Sequence, residues 1–358
     1  MLKWGTLLTT AQYGALAQRE VMKNAITFSE RAEQLGFDAV WLLEHHFTKF
    51  GLCPSAITMA GYILGRTKRL KVGSAISIIP VDHPVRLAEK VAVLDQLSDG
   101  RFYFGIGRGS FVKDFHVFNT DMSRNHEMLY QWTDVMMSAW TRGRCSASSD
   151  LLRFEEVPVY PEPFTKPHPP LYVACSSPST IEWAAKLGLP MMLEYSLEDE
   201  KKLSQLELYD DVASSAGHDT AKIDHVLSLL CGVAEDGDMR RQRDNLVWYG
   251  EEFLRASMLF GSAMKSSLPN YEVWHRRYEE GMMSGDWKPE QRVERVFRLN
   301  PIGTVDHCIE RLQRTVELTG IGHIVCAFET AGPDMSAICD SMQRFREEVI
   351  PRIKPGKR

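Results

Sequence analysis

The run Gly36-Phe37-Asp38-Ala39-Val40-Trp41-Leu42-Leu43-Glu44-His45-His46-Phe47-Thr48-Lys49-Phe50 decides the fold. Gly36 stops a helix. Ala39 to Leu43 is short, apolar and rich in strand formers, the pattern of a strand buried on both faces. It breaks at once into Glu44, His45 and His46. In barrel enzymes the chemistry sits at the C-terminal ends of buried parallel strands. A lone histidine there would read as a strand cap. An acid with two histidines reads as a functional cluster.

Working outward, strand-like and helix-like segments alternate almost from end to end. Strands are expected at Leu2–Leu8, Ala39–Leu43, Leu70–Ile78, Phe102–Ile106, Leu171–Cys175, Met191–Glu194, His225–Val233 and His323–Phe328. Helices are expected at Glu20–Leu35, Ala56–Gly65, Pro84–Leu97, Arg124–Trp140, Ser179–Leu187, Asp199–Ala216, Met239–Leu259 and Val305–Thr319, with Met335–Ile350 closing the chain. Such alternation calls for parallel strands joined by right-handed crossovers. Eight units predict an α/β fold, a closed (β/α)8 TIM barrel with insertions, as a single domain over 1–358. An open doubly wound sheet is the alternative, but no GxGxxG opens a helix after an early strand. The proline-dense stretch Cys145 to Pro170 predicts an extended, rigid insertion.

The totals narrow the function. Hydrophobic content of 44% and charged content of 25% exclude disorder. A net charge of -5 offers no footprint for nucleic acid. No apolar run approaches bilayer length, and no signal peptide is evident. Seven cysteines, odd in number and never spaced as CxxC, predict neither a disulfide framework nor a metal site and fit a cytoplasmic protein.

Two further places bear on chemistry. Gly105-Ile106-Gly107-Arg108-Gly109 follows a strand, where glycines admit a planar ligand and Arg108 suits phosphate. Arg124 heads a helix. Ser176-Ser177-Pro178-Ser179-Thr180, with Glu182 three residues after Ser179, reads as a capped helix start. Free N–H groups and hydroxyls at such a start make an anion site, and ordinary capping explains the same letters.

The stretches VWLLEHHFTKFG, LGRTK, HPVRLAEKVAVLDQLSDGRFYFG, RGSFVKDFHVF, STIEW, LGLPM and LNPIGT follow one another in the order found in the luciferase-like flavin monooxygenases. The whole chain resembles the bacterial luciferase α subunit of that family. The resemblance implies a two-component monooxygenase: reduced FMN arrives from a separate flavin reductase, reacts with O2 through a C4a-(hydro)peroxyflavin, and oxidises a small organic substrate such as a long-chain aldehyde. It implies His45 as the catalytic histidine, with His46 as a structural partner. Arg108, Arg124, Ser176, Ser177 and Thr180 fall at FMN phosphate positions, and Trp248 lines the flavin and substrate pocket. Glu44 is placed beside the cofactor, fixing the tautomer of His45. With an unperturbed pKa near 6.5, His45 is expected to act as the base.

Two departures stand out. Gly107 replaces a reactive cysteine and is expected to leave more room beside the flavin. Ser176 replaces a glutamate near the phosphate. Other readings on the same fold are a deazaflavin (F420)-dependent dehydrogenase and a non-catalytic flavin-binding subunit. Ala60, Gly61, Ala88 and Ala92 on two successive helices are expected to serve a dimer interface, with a second copy or a related chain. Breakers and mixed charges over 261–300 predict a mobile lid that shields the site from water.

Overall fold

A computed structural model describes residues 2–234, 239–264, 289–328 and 332–356. Its strands are β1 (Lys3–Leu8), β2 (Ala39–Leu42), β3 (Lys71–Ser74), β4 (Ser77–Ile78), β5 (Phe102–Gly107), β6 (Arg144–Ser148), β7 (Arg153–Pro158), β8 (Leu171–Ala174), β9 (Met191–Leu193), β10 (Val226–Leu230), β11 (Gly232–Val233), β12 (Ile302–Gly303) and β13 (His323–Ala327). The order β1-β2-β3-β5-β8-β9-β10-β13, with β13 paired back onto β1, closes eight parallel strands into a barrel. The expected TIM barrel is the fold.

Around it run α1 (Gln18–Gln34), α2 (Ala56–Arg66), α3 (Pro84–Leu97), α4 (Val112–Val117), α5 (Asn125–Arg142), α6 (Pro178–Lys186), α7 (Asp199–Ser215), α8 (Met239–Met264), α9 (Pro289–Leu299), α10 (Val305–Thr319) and α11 (Met335–Arg344). Three expectations change in detail. The strand expected over Leu70–Ile78 is broken between β3 and β4 around the Ala75–Ile76 peptide, which is cis. The strand expected over His225–Val233 splits, because β11 leaves the barrel to pair with β12. The proline-rich insertion opens as an antiparallel hairpin of β6 and β7. Of the expected lid, 265–288 lie outside the described residues; 261–264 end α8, and Pro289, counted among the breakers, begins α9.

The barrel interior explains the deciding run. Strand alternation sends Val40 and Leu42 outward to the helices and Trp41 inward. Trp41 is fully buried, with Tyr172 edge-on at 5.2 Å and Tyr103 tilted at 5.9 Å. Gly73 on the next strand exists for it: a Cβ there would lie 2.4 Å from Trp41 Cε3. The filled interior puts a floor beneath β2, so Glu44, His45 and His46 emerge at an upper mouth.

Ala60, Ala88 and Ala92 are fully buried, and Gly61 lets α2 approach Leu94 of α3, where a Cβ would meet Leu94 Cδ2 at 3.2 Å. These small residues therefore pack on the barrel and between the two helices, not on an outer face. What α2 and α3 do present outward is Tyr62, Val93 and Leu97, exposed at 60%, 40% and 78%.

Candidate active site

Glu44 leaves β2 and turns away from the expected contact. Its Oε1 accepts from the Ile78 N–H at 2.9 Å and its Oε2 from the Ala56 N–H at 2.8 Å. It thus holds β4 against the first turn of α2, where a helix start favours an anion. Burial dominates even so, pushing its carboxyl up to about 7 against those two hydrogen bonds. No hydrogen bond from Glu44 to His45 exists among the described residues, so Glu44 positions backbone and does not fix the imidazole tautomer.

His45 is anchored by its own N–H, which donates to Cys53 O at 2.9 Å. Its ring lies between Phe50 (4.9 Å) and Phe111 (5.4 Å, stacked). Gly51 makes the close turn possible, since a Cβ there would meet His45 Cδ2 at 2.8 Å and Thr9 O at 2.9 Å. His45 Nε2 is buried with no partner among the described residues. Burial, helped by the neighbouring His46, pushes its pKa down to about 4, not the 6.5 expected from the sequence. The imidazole is therefore neutral at physiological pH and holds a lone pair for a proton. His46 Nε2 is likewise buried without a partner, and its ring meets Phe118 edge-on at 4.8 Å.

An aromatic roof continues over His45. Phe50 packs on Tyr249 at 4.5 Å and on Phe253 at 5.4 Å, both from α8. Trp248, one residue earlier, packs on Tyr13 of the loop after β1 at 4.2 Å. Beside the roof a cavity of about 320 Å³ is lined by His46, Phe47, Phe111, Lys113, Asp114 and Arg255. Asp114, on the short helix α4 that sequence reasoning missed, is buried with neither oxygen partnered among the described residues. Burial and the nearby Glu44 push it up to about 7.

Gly107 ends β5. The room expected beside it is already taken, because a Cβ there would lie 2.8 Å from Ile76 Cδ1. Arg108 follows directly. Helix α6 starts one residue earlier than expected, with Ser177 as N-cap and Pro178 in the first turn, and the capping box of Ser179 with Glu182 does not form. Ser177 Oγ instead lies 3.0 Å from Thr180 Oγ1 and 3.2 Å from Ser179 Oγ, leaving first-turn N–H groups without a side-chain cap. Ser176 is half-buried between β8 and this turn.

Two residues that sequence reasoning passed over join this cluster from α5. The Tyr130 hydroxyl lies near the Thr180 and Ser179 hydroxyls, and its ring stacks on Trp183 at 4.5 Å. His126 Nδ1 lies 3.3 Å from that hydroxyl, and its buried Nε2 has no partner among the described residues. Burial, then the charge of Arg108, hold His126 down to about 4. The signal was present as two polar residues four apart on one helix face, beside the buried Leu129 and Thr133.

Arg124 does not join the cluster as expected. Its guanidinium pairs with Asp150 of the β6–β7 turn at 2.6 Å and with Glu127 at 2.6 Å, both exposed. Contact with a phosphate would require it to exchange those partners.

The donors suit a phosphorylated flavin: a basic, hydroxyl-rich helix start for the phosphate, an aliphatic wall at Ile76, and a neutral imidazole with an orphaned nitrogen under an aromatic roof. The family model described as luciferase-like monooxygenase matches residues 2–323. The alkanal monooxygenase alpha chain of the Kryptophanaron alfredi symbiont is 38% identical over 355 residues, covering 99% of each chain. That of Photorhabdus laumondii is 38% identical over 359 residues, covering 100% of this chain and 99% of its own. The alkanal monooxygenase beta chain of Vibrio harveyi is 28% identical over 329 residues, 92% of this chain and 93% of its own. Among solved structures, monooxygenase RslO1 from Streptomyces bottropensis superposes with a TM-score of 0.79 at 26% identity, covering 98% and 99% of the two chains. Two more share the fold. The oxygenating constituent of 3,6-diketocamphane monooxygenase from Pseudomonas putida, in complex with FMN, has a TM-score of 0.75 at 19% identity and covers 100% of both chains. An F420-dependent secondary alcohol dehydrogenase has a TM-score of 0.73 at 20% identity and covers 99% of both. The chain belongs to the luciferase-like monooxygenase family and is a flavin-dependent monooxygenase.

Proposed function

We propose that this protein is the oxygenating component of a two-component system, taking reduced FMN from a separate flavin reductase and using O2 to oxidise a small organic carbonyl compound such as an aldehyde. The observation that carries the reading is His45, held neutral by burial at the end of β2 with an unpartnered Nε2. Bound reduced flavin supplies the electrons that activate O2; the protein orients, shields and moves protons. Arg108, Ser177, Thr180 and the free N–H groups of α6 would hold the phosphate, with Tyr130 fixing the hydroxyls. His45 would accept a proton from the reacting group. Phe50, Phe111, Tyr249 and Trp248 would keep water away. Glu44 would hold the β4 backbone that forms one wall.

The outward apolar residues Tyr62, Val93 and Leu97 support assembly with a second copy or a related chain, a surface displaced from the small residues first considered. To test the chemistry, anaerobic titration compares FMN, riboflavin and a deazaflavin, followed by O2 uptake with an aldehyde series. Preference for FMN over riboflavin by at least about tenfold is expected from losing charge-assisted hydrogen bonds. Equal affinity for FMN and riboflavin would remove the phosphate cradle; turnover with deazaflavin and an alcohol without O2 uptake would replace the reading.

A further inference from the structure

Gly107 has no conformational need to be glycine, since its φ lies outside the left-handed region. The need is spatial. A Cβ built on it would lie 2.8 Å from Ile76 Cδ1, 2.9 Å from Ile76 Cγ1 and 3.5 Å from Ala174 Cβ. Gly105, two residues earlier, differs in kind: its Cβ would meet the backbone oxygen of Ser74 at 2.0 Å. Ser74 Oγ also donates to Gly105 O at 2.7 Å and accepts from Gly105 N at 3.0 Å. Gly105 is therefore fixed by closure of β3 on β5, whereas Gly107 is opposed only by a side chain.

That side chain stands in a telling place. Ile76 is partly buried and packs on the barrel-interior cluster, as do Leu43, Ala75 and Tyr195. In barrel order β3 and β4 lie between β2, which delivers His45, and β5, which delivers Gly107 and Arg108. Ile76 thus stands, in barrel order, between the strand that delivers His45 and the strand that delivers Arg108. It is β-branched and stiff, so it cannot easily swing aside.

We propose that Ile76 and Gly107 are a matched pair, with Ile76 supplying from the break between β3 and β4 the pocket wall that a side chain at 107 would supply from β5, and so determining which carbonyl substrates fit over the flavin. The proposal rests on the flavin reading above. The wall is aliphatic, and the substrate surface lying on it is apolar. Filling position 107 and keeping Ile76 overpacks the wall; emptying position 76 enlarges the pocket; doing both moves the wall back to β5.

The test is a double-mutant cycle of Ile76→Ala, Gly107→Ala and the pair, in the full-length protein. Three readouts are taken: affinity for oxidised FMN by quenching of flavin fluorescence, the urea unfolding midpoint, and relative turnover on linear, branched and cyclic aldehydes. Gly107→Ala should weaken FMN by roughly tenfold, toward the low end of the range for overpacking a filled site. The double variant should recover to within about threefold of wild type. Ile76→Ala alone should shift turnover toward branched and cyclic substrates. Additive losses in FMN affinity would overturn the pairing. Coupling in the unfolding midpoint with FMN affinity and substrate order unmoved would reduce the pair to packing and overturn its role in specificity, leaving the flavin reading intact. A wild-type protein that binds no flavin would sink both, and that result is read before any variant is made.

Discussion

Glu44 is where two physical effects compete and one can be measured directly. Two backbone N–H groups, from Ile78 and Ala56, favour its carboxylate, while burial favours the neutral acid and prevails, moving the pKa from 4.5 to about 7. An acid with a raised folded-state pKa keeps its proton where the unfolded chain has lost it. Its contribution to stability is complete below pH 4.5 and is lost as the pH rises through about 7. The loss amounts to about 3 kcal/mol. Asp114, also raised to about 7, acts in the same direction, whereas His45 and His126, lowered to about 4, act oppositely below pH 6.5. A wild-type profile alone therefore mixes signs. Glu44→Gln separates them, because glutamine does not titrate; its amide keeps one acceptor but sets an NH2 donor against the second backbone N–H, a deficit that does not vary with pH. At about pH 5 the variant should be the less stable by about 1–3 kcal/mol, the cost of one backbone N–H left without an acceptor. Between about pH 5 and about pH 8 the difference should move in the variant's favour by roughly 2–3 kcal/mol. Relief of Asp114, which Glu44 holds up, adds to that gain. Urea unfolding at intervals between these pH values gives the difference. Parallel profiles would mean that Glu44 ionises normally. A wild type that gains on the variant with pH would mean that the two N–H bonds outweigh burial.

Three other outcomes follow from the same structure. His45→Ala should cut turnover by about 10²–10⁴-fold with FMN affinity unchanged, and in wild type the acid limb belonging to His45 should fall near pH 4, not 6.5; unchanged turnover removes His45 from the chemistry. Asp199→Ala should destabilise by about 3–5 kcal/mol, because it strands Lys202 (3.1 Å) and Arg311 (2.7 Å), both buried, between α7 and α10; a loss under about 1 kcal/mol in urea unfolding would show that these cations find other partners. Tyr62→Glu with Leu97→Glu should leave a monomer by light scattering if the outward face of α2 and α3 is an interface, and an unchanged assembly mass would place the contact elsewhere.

The barrel was legible because its signal is local. Ala39–Leu43 reads as a doubly buried strand whatever surrounds it, and the alternation of such runs with helical patterns leaves few topologies. The position of the Glu44-His45-His46 cluster at a strand end was legible for the same reason. The partners of its side chains were not. Glu44 meets Ile78 and Ala56, 34 and 12 residues away, only because the barrel closes. His45 lost its ordinary pKa to Phe50, Phe111 and the burial they enforce, and no spacing in the sequence states burial. Arg124 was read from its place at a helix start, yet its carboxylate partner Asp150 lies on a hairpin that proline density announced only as extended. Helix α4 was missed because six residues carry too little periodicity to be seen.

The two departures from the family pattern differ in consequence, and the structure says why. Gly107 looked like lost bulk, but Ile76, in the break between β3 and β4, fills the space beside it. Ser176 has no such compensation to make. A glutamate at the start of α6 would set a negative charge beside a dianionic phosphate and would need a cation to offset it. With serine there, the uncapped N–H groups of α6 and Arg108 would meet a bound phosphate without that repulsion. A second arginine is then less necessary, and Arg124 is free to tie α5 to the β6–β7 hairpin through Asp150. On the proposed phosphate cradle, serine at 176 and the outward pairing of Arg124 would be one adjustment of charge: a cradle with one fewer anion would manage with one fewer cation.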